Sequence, residues 1–488
     1  MQSLNAQSCP KVKEVRLEKI HFLSNPVGSG KTQAAIKGIE LNDNESHIFV
    51  SPTCKLAEEI HDRMCEDLKD SSIVQNIDLI TSETVEKGQP VSKKVFELIK
   101  TTPTNKAHVI IITTETFRNI LPLSYNDKAR YHVYLDEGID VLKTAVALTG
   151  KITPALQGLL NMEESTGQIA VKPNCLKTVQ HIAKKNDQAL GSQAELLHAK
   201  FISIAKIMTC DLYDVFGQFG AESTRVVGML KPSLFDGFKS VTMIMALFEQ
   251  SPLAHYWRHS KGIVFDELAH ECELFDTHEK KGKLISIYHA LHPDDMASRS
   301  VLTETLGNEH VIRHVCKDVE AFFLSRGEAY CFTVNKYCKD PKAILTSGDE
   351  MPVKCAGMNH WEHHNNVAAL SSSLPETWVK DIVVKLLGVD GQSFYHMWRM
   401  ADTYQTIGRC CLRDRKNNSR ITMVVLSEEE AIAINQMFKG SKMMGQLGKL
   451  PSIKQHRSSK KTRTVYTHTD TVMPPYFSSP HKENFLVM

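Results

Sequence analysis

Lys19–Glu40 reads KIHFLSNPVGSGKTQAAIKGIE, and the reading of these residues decides the fold. Lys19–Ser24 is a short apolar run, and Lys31–Glu40 has the composition of a helix. Between them lies Asn25–Thr32, NPVGSGKT, which is nearly the pattern Gly, four residues, Gly-Lys, then Ser or Thr. Only the first glycine is missing, replaced by Asn25 at the base of the loop. Gly28 and Gly30 let the backbone curl so that N–H groups, including that of Ser29, point at phosphate oxygens. Lys31 is placed to reach the β- and γ-phosphates, and Thr32 to offer a hydroxyl to Mg²⁺. The start of the helix adds its positive end. The expectation is a nucleotide site after the first strand of an α/β sheet.

The next hundred residues continue the alternation. Ser46–Pro52, Ile77–Ser82, Ala107–Thr114 and Tyr131–Glu137 read as strands, the β-branched run Val109–Ile112 as one buried on both faces. Leu56, Ile60, Met64 and Leu68 recur every four residues on one face of a helix. The pattern predicts a doubly wound parallel sheet. From about 142 to 235 strand runs thin out, which predicts a mainly helical insertion. Strand patterning resumes at Ser240–Glu249, and a second α/β pattern follows through Lys283–Leu291, Ala329–Tyr337 and Arg420–Ser427, with a long helix from Ser393 to about Leu412. The expected division is therefore 1–255 for a first domain carrying the insertion, 256–445 for a second, and 446–488 for a flexible basic tail.

The 488 residues carry a formal charge of only +2, so a polyanion has to be held by a local cleft. Twelve irregularly spaced cysteines suggest neither a disulfide framework nor a CxxC metal site, and point to reduced thiols. No signal peptide and no long apolar span is expected, which predicts a cytoplasmic protein, in a host cytoplasm if viral.

A phosphate loop needs a second acidic site. Asp136 and Glu137 close an apolar strand, where the aspartate can hold Mg²⁺ and the glutamate can activate water. Val264–Glu267, VFDE, looks similar but has no such loop ahead of it and reads as a solvated turn. Gln405–Arg415 places Gln405, Arg409 and Arg413 at four-residue spacing, on one face if a helix persists. On spacing alone this is a basic helix end.

Taken in order, the chain resembles a superfamily 2 helicase of the DExx type, built from two RecA-like domains. NPVGSGKT is similar to motif I, Val50–Ile60 to Ia, Ile112–Phe117 to Ib, and Leu135–Gly138, LDEG, to motif II. Tyr330–Lys336 resembles motif IV, Lys354–Leu370 motif V, and Gln405–Arg413 motif VI. The compact motif set also resembles helicases of tailed bacteriophages. The resemblance implies ATP and Mg²⁺ bound in a cleft between two α/β domains, with arginine fingers at Arg409 and Arg413. It implies a nucleic-acid partner, DNA favoured over RNA, gripped from both domains. Ser51, Thr53, Lys55, Thr113, Thr114 and Arg118 project from strand ends of the first domain, where open α/β sheets bind ligands. Asn335 and Asn359 are the corresponding positions of the second. Helix N-capping by Thr53 or Thr114 explains those residues equally well.

Three departures stand out. Leu412 occupies the usual place of the second motif VI arginine, with Arg413 one residue on. Met245-Ala246-Leu247 replaces Ser-Ala-Thr of motif III, which puts strand separation in question. The insertion, between motifs II and III, is a clamp over nucleic acid or a partner dock, and the tail is a further dock. His360, His363 and His364 invite a metal reading, but no cysteine or carboxylate set completes a tetrahedron, and contact with a nucleic-acid backbone or plain solvated polarity is the expectation. The expected function is an ATP-dependent helicase or translocase. The alternatives are a non-unwinding packaging or restriction-type motor, and a helicase-like interaction scaffold.

Overall fold

The computed structural model describes residues 19–150, 153–184, 193–269, 274–353, 358 and 360–455. Asn359, most of the basic tail and most of Val353–Gly357 lie outside the described residues. The chain divides into two compact units. The first comprises 1–25, 30–273 and 375–397, the second 26–29, 274–374 and 398–488.

The first unit is built on a seven-stranded parallel sheet. Its strands are β1 (Lys19–Leu23), β2 (Ser46–Ser51), β3 (Ile77–Ile80), β4 (Val109–Thr113) and β5 (Tyr131–Asp136), joined after the insertion by β11 (Ser240–Ile244) and β12 (Val264–Glu267). They lie in the order β12-β1-β11-β5-β2-β4-β3. Val109–Ile112 are fully buried, as a strand covered on both faces requires. Helix α1 (Lys31–Glu40) follows β1, and α2 (Cys54–Asp67) follows β2. Leu56, Ile60, Met64 and Leu68 are all buried, so the four-residue stripe of α2 is its core face.

VFDE is a strand, not the solvated turn its carboxylates suggest. β12 pairs in parallel with β1 from Lys19↔Val264 to Phe22↔Glu267. As the sheet's edge it keeps Val264 and Glu267 exposed, which is why it lacks the apolar run of an inner strand. The first unit thus takes in residues beyond 255.

The insertion holds the expected helices, among them Leu176–Ala183 and Gln193–Met208, and also a sheet. The antiparallel strands β6 (Leu142–Thr149), β9 (Tyr213–Gly220) and β10 (Ser223–Leu230) order as β6-β10-β9, with a small hairpin of β7 (Leu160–Met162) and β8 (Ile169–Val171) beside them. Gly217 lies in β9, where a Cβ would meet the Arg225 carbonyl oxygen at 2.1 Å. These elements enclose a core of their own around Leu148, Leu156, Ile204 and Val226.

The second unit has a six-stranded parallel sheet. It contains β13 (Ile285–His289), β16 (Tyr330–Val334), β17 (Gly348–Glu350), β18 (Asn366–Leu370), β19 (Ile421–Val425) and β20 (Lys442–Gln446), ordered β17-β16-β18-β19-β13-β20. The short pair β14 (Thr305–Leu306) and β15 (Glu309–His310) stands apart. One face is packed by helix Val311–Arg326 through Val315, Val319 and Phe323. Both sheets are the doubly wound type expected of RecA-like domains. Among the described residues no helix is long and apolar enough to cross a membrane.

Candidate nucleotide site

β1 ends at Leu23, and the chain turns into α1 at Lys31. The turn requires φ of +72° at Gly28 and +96° at Gly30, where a side chain would be strained. Gly30 caps α1 without a side-chain hydrogen bond, so no side chain competes for the first-turn N–H groups. The Ser29 hydroxyl is buried with no protein partner, a donor suited to an anion in the loop. Lys31 Nζ donates to the Asn25 carbonyl at 2.7 Å across the loop. Asn25 thus takes part through its backbone carbonyl, which any residue supplies.

The Thr32 hydroxyl donates to Asp136 Oδ2 at 3.1 Å. Residues 104 apart in sequence are joined because β1 and β5 flank β11 in parallel, bringing their carboxyl ends to one edge of the sheet. The donor set of one hydroxyl and one carboxylate is the chemistry of a Mg²⁺ site, oxygen only. Glu137 follows at φ +59°, a left-handed conformation unusual for glutamate, held by its N–H donating to Ile244 O at 2.7 Å.

One of the departures from the motif pattern, Met245, packs here against Gly138, the residue after Asp136-Glu137. Gly138 has φ +69°, and a Cβ on it would lie 2.8 Å from Met245 Sδ. Met245 in turn donates its N–H to Leu23 O at 3.2 Å. A glycine after Asp-Glu and a methionine in place of serine thus lie in contact.

The other predicted positions of the first unit are mixed. Thr53 caps α2, accepting from Leu56 N at 3.2 Å. Thr113, rather than Thr114, caps helix Thr114–Ile120, accepting from Thr116 N at 3.3 Å. Thr114 donates to Ser51 O at 3.3 Å, and Arg118 Nη2 to Asp140 O at 3.5 Å. Ser51 is buried, whereas Lys55 is exposed. In the second unit Asn335 Oδ1 accepts from the Tyr337 hydroxyl and Ser372 N, so its amide orders a loop.

Helix Gly391–Ile407 carries Gln405 but stops before Arg409. Arg409 and Arg413 thus do not share a helical face. A turn follows, with Arg413 on the 3₁₀ segment Cys411–Arg413. Arg409 reaches back through Nη2 to Gln405 Oε1 at 2.9 Å and through Nη1 to Met358 O at 3.3 Å. Arg413 Nε donates to Gly408 O at 2.8 Å. Lys281 was not visible as part of this arrangement in sequence, where it sits in an ordinary basic run. It is buried, and Nζ donates to Asp414 O at 2.9 Å, to Arg415 O at 3.4 Å and to Asn417 O. A single ammonium ties down the turn that follows the two arginines.

The DEAD/DEAH box helicase family model matches residues 6–144, a stretch that contains the first strand and ends just beyond Asp136-Glu137. No curated protein matches the sequence. Among solved structures, Xpd4 of S. tokodaii is similar at 11% identity over 87% of this chain and 96% of its own, with a TM-score of 0.43. S. cerevisiae Dbp5 bound to RNA and ADP BeF3 is similar at 12% identity over 90% and 88%, with a TM-score of 0.37. Mycobacterium smegmatis helicase Lhr bound to ssDNA and AMP-PNP is similar at 11% identity over 88% and 47%, with a TM-score of 0.34. These likenesses are too distant to carry an argument. The family match over residues 6–144 makes that part of the chain similar to a DEAD/DEAH box helicase domain, and it falls on the residues that bring Lys31, Thr32 and Asp136 together.

Proposed function

We propose that the chain uses ATP hydrolysis to move along nucleic acid, DNA in preference to RNA, as a helicase or translocase. The observation that carries this is the Thr32–Asp136 contact beside Lys31 at the start of α1, a phosphate loop already joined to its acidic partner. Lys31, the loop N–H groups and Ser29 would bind the phosphates. Thr32 and Asp136 would hold Mg²⁺, which when bound neutralises charge on the phosphate oxygens. Glu137, next along the chain, would orient and deprotonate the attacking water. Arg409 and Arg413 would supply positive charge for the transferred phosphoryl group, with Gln405 holding the Arg409 guanidinium. Ser51, Thr53, Lys55, Thr113, Thr114 and Arg118, with Asn335 and Asn359, would contact the strand; the insertion and tail would serve partners.

Steady-state ATPase assays with single-stranded DNA, duplex DNA and RNA, each at two salt concentrations, test the reading. Stimulation by DNA that weakens with salt is expected, because phosphate contacts release counterions. Glu137→Gln should lower kcat by about 10²-fold or more. An ATPase indifferent to every nucleic acid, or a Glu137→Gln variant as fast as wild type, overturns the proposal.

A second reading, a motor that translocates without unwinding, is favoured by Met245-Ala246-Leu247. Met245 packs at Gly138 with a thioether where the motif offers a hydroxyl, and Leu247 has no hydroxyl either. ATP-dependent strand displacement would decide against it.

A further inference from the structure

We propose that the second unit carries a binding site for a divalent transition metal of the Zn²⁺ class, formed by Asp349, His363 and His364, outside the nucleotide chemistry. Glu362 lies within the histidine run, but it is Asp349, from a neighbouring strand, that the sheet brings to His363 and His364. β17 pairs with β16 at Cys331↔Asp349, while β18, which begins two residues after His364, pairs with the other side of β16 at Cys331↔Val367. Asp349 is thereby carried to the turn before β18.

The three side chains converge on one point. His364 Nε2 lies 2.7 Å and His363 Nε2 4.0 Å from the same Asp349 Oδ2. All three ligand atoms lie within 4.8 Å of one another. A tetrahedral Zn²⁺ with bonds of about 2.1 Å needs its ligand atoms roughly 3.4 Å apart, so shifts of under about 1 Å in side chains suffice. The His363 and His364 rings lie together, centroids 4.1 Å apart, although adjacent residues commonly diverge. Two imidazoles and one carboxylate favour Zn²⁺, Co²⁺ or Ni²⁺ over Mg²⁺ and Ca²⁺, which take oxygen. Water would complete the coordination. His363 and Asp349 are largely exposed, giving the ion a path in, while His364 is buried and held.

The surroundings fix this ligand and give the site a consequence. His364 N donates to Trp361 O at 3.0 Å, and His364 O accepts from Cys411 N at 2.9 Å. Met358 O, at the head of the same segment, accepts from Arg409. A bound cation would therefore clamp β17 to the segment that holds the arginine turn.

The test is titration of the full chain, stripped with chelator, with Co²⁺ and then Zn²⁺. A visible d–d spectrum of tetrahedral type, saturating at one Co²⁺ per chain without a thiolate charge-transfer band and displaced by Zn²⁺ but not by Mg²⁺, is expected. Zn²⁺ should also raise the melting temperature by mass action. His363→Ala and Asp349→Asn, both at exposed positions, should each weaken Co²⁺ binding by at least the roughly 10- to 100-fold that loss of an outer-shell partner costs. Their unchanged melting temperature in chelator separates lost ligation from misfolding. Absence of saturable Co²⁺ binding, thiolate bands from the cysteines instead, or wild-type affinity in both variants overturns the site and leaves an Asp349–histidine ion pair only.

Discussion

Lys281 shows how much one side chain can set. Its ammonium has three protons, and the structure gives it three carbonyl acceptors on Asp414, Arg415 and Asn417. Lys281→Met would leave those carbonyls without their donor, at a cost of about 1–3 kcal/mol concentrated in the turn after Arg413. If the turn positions Arg409 and Arg413 for hydrolysis, kcat should fall about tenfold or more with KM for ATP nearly unchanged, and Lys281→Arg should recover part of it. A purely structural lysine would lower stability and leave kcat alone. Gly138 offers a second measurement at this scale. Gly138→Ala forces both a positive φ and a 2.8 Å approach to Met245 Sδ. Met245→Ala removes the approach only. A double-mutant cycle on thermal stability should show positive coupling on the order of 1 kcal/mol, the φ strain remaining in the double variant. Strict additivity would show that Gly138 and Met245 are unrelated.

At the scale of elements, the strand ends decide what threonines do. Thr53 Oγ1 accepts from Leu56 N, which spends a lone pair and leaves its proton for a phosphate. Thr53→Ala should cost about 1 kcal/mol of stability and also weaken nucleic-acid binding. Thr53→Asp keeps an acceptor for the cap but adds repulsion, so stability should hold while binding falls. Parallel losses of binding in Thr53→Ala and Thr53→Asp, measured by fluorescence anisotropy, support the phosphate contact; unaltered binding in both reduces Thr53 to a cap. These elements also show what was legible. β1, α1, β2 and β5 could be read because apolar runs and turn glycines are local signals, and Thr32 with Asp136 because the loop and the strand-end carboxylate are each recognisable alone. β12 could not, since none of its four residues is buried and so no apolar run marks it. Nor could β9 and β10, whose glycines look like loop punctuation until Gly217 is seen pressed against Arg225. The helix carrying Gln405 ends two residues before Arg409, where Gly408 interrupts it, and apolar residues beyond conceal that stop. Asp349 joined His364 only through the register of β16 with two neighbours, information that no single segment contains.

Across the whole molecule, acid should act first on the middle of the first unit's sheet. His47 in β2 is buried, its Nε2 donating to Asn42 O, and burial pulls its pKa down to about 4. His108, immediately before β4, is also pulled down to about 4 by burial, with Nε2 against the Tyr131 hydroxyl at 2.9 Å. Burial lowers His132 in β5 as well, against the opposing pull of Glu45. In an unfolded chain these imidazoles titrate near 6.5. Between that value and about 4 the unfolded state binds protons that the folded state refuses, so stability rises with pH across the window. It is complete above about 6.5 and is lost as pH falls toward 4, at roughly 1.4 kcal/mol per pH unit for each of His47 and His108. Hydrogen exchange followed by mass spectrometry from pH 7 to pH 4.5, corrected for intrinsic rates, should show protection in β2, β4 and β5 decaying with that slope. His108→Gln keeps a hydrogen-bonding group beside Tyr131 but cannot take a proton, so its slope should be shallower by about one histidine's share. A slope identical in wild type and His108→Gln would mean that acid enters the molecule elsewhere, and that the buried histidines of the sheet do not set its pH limit.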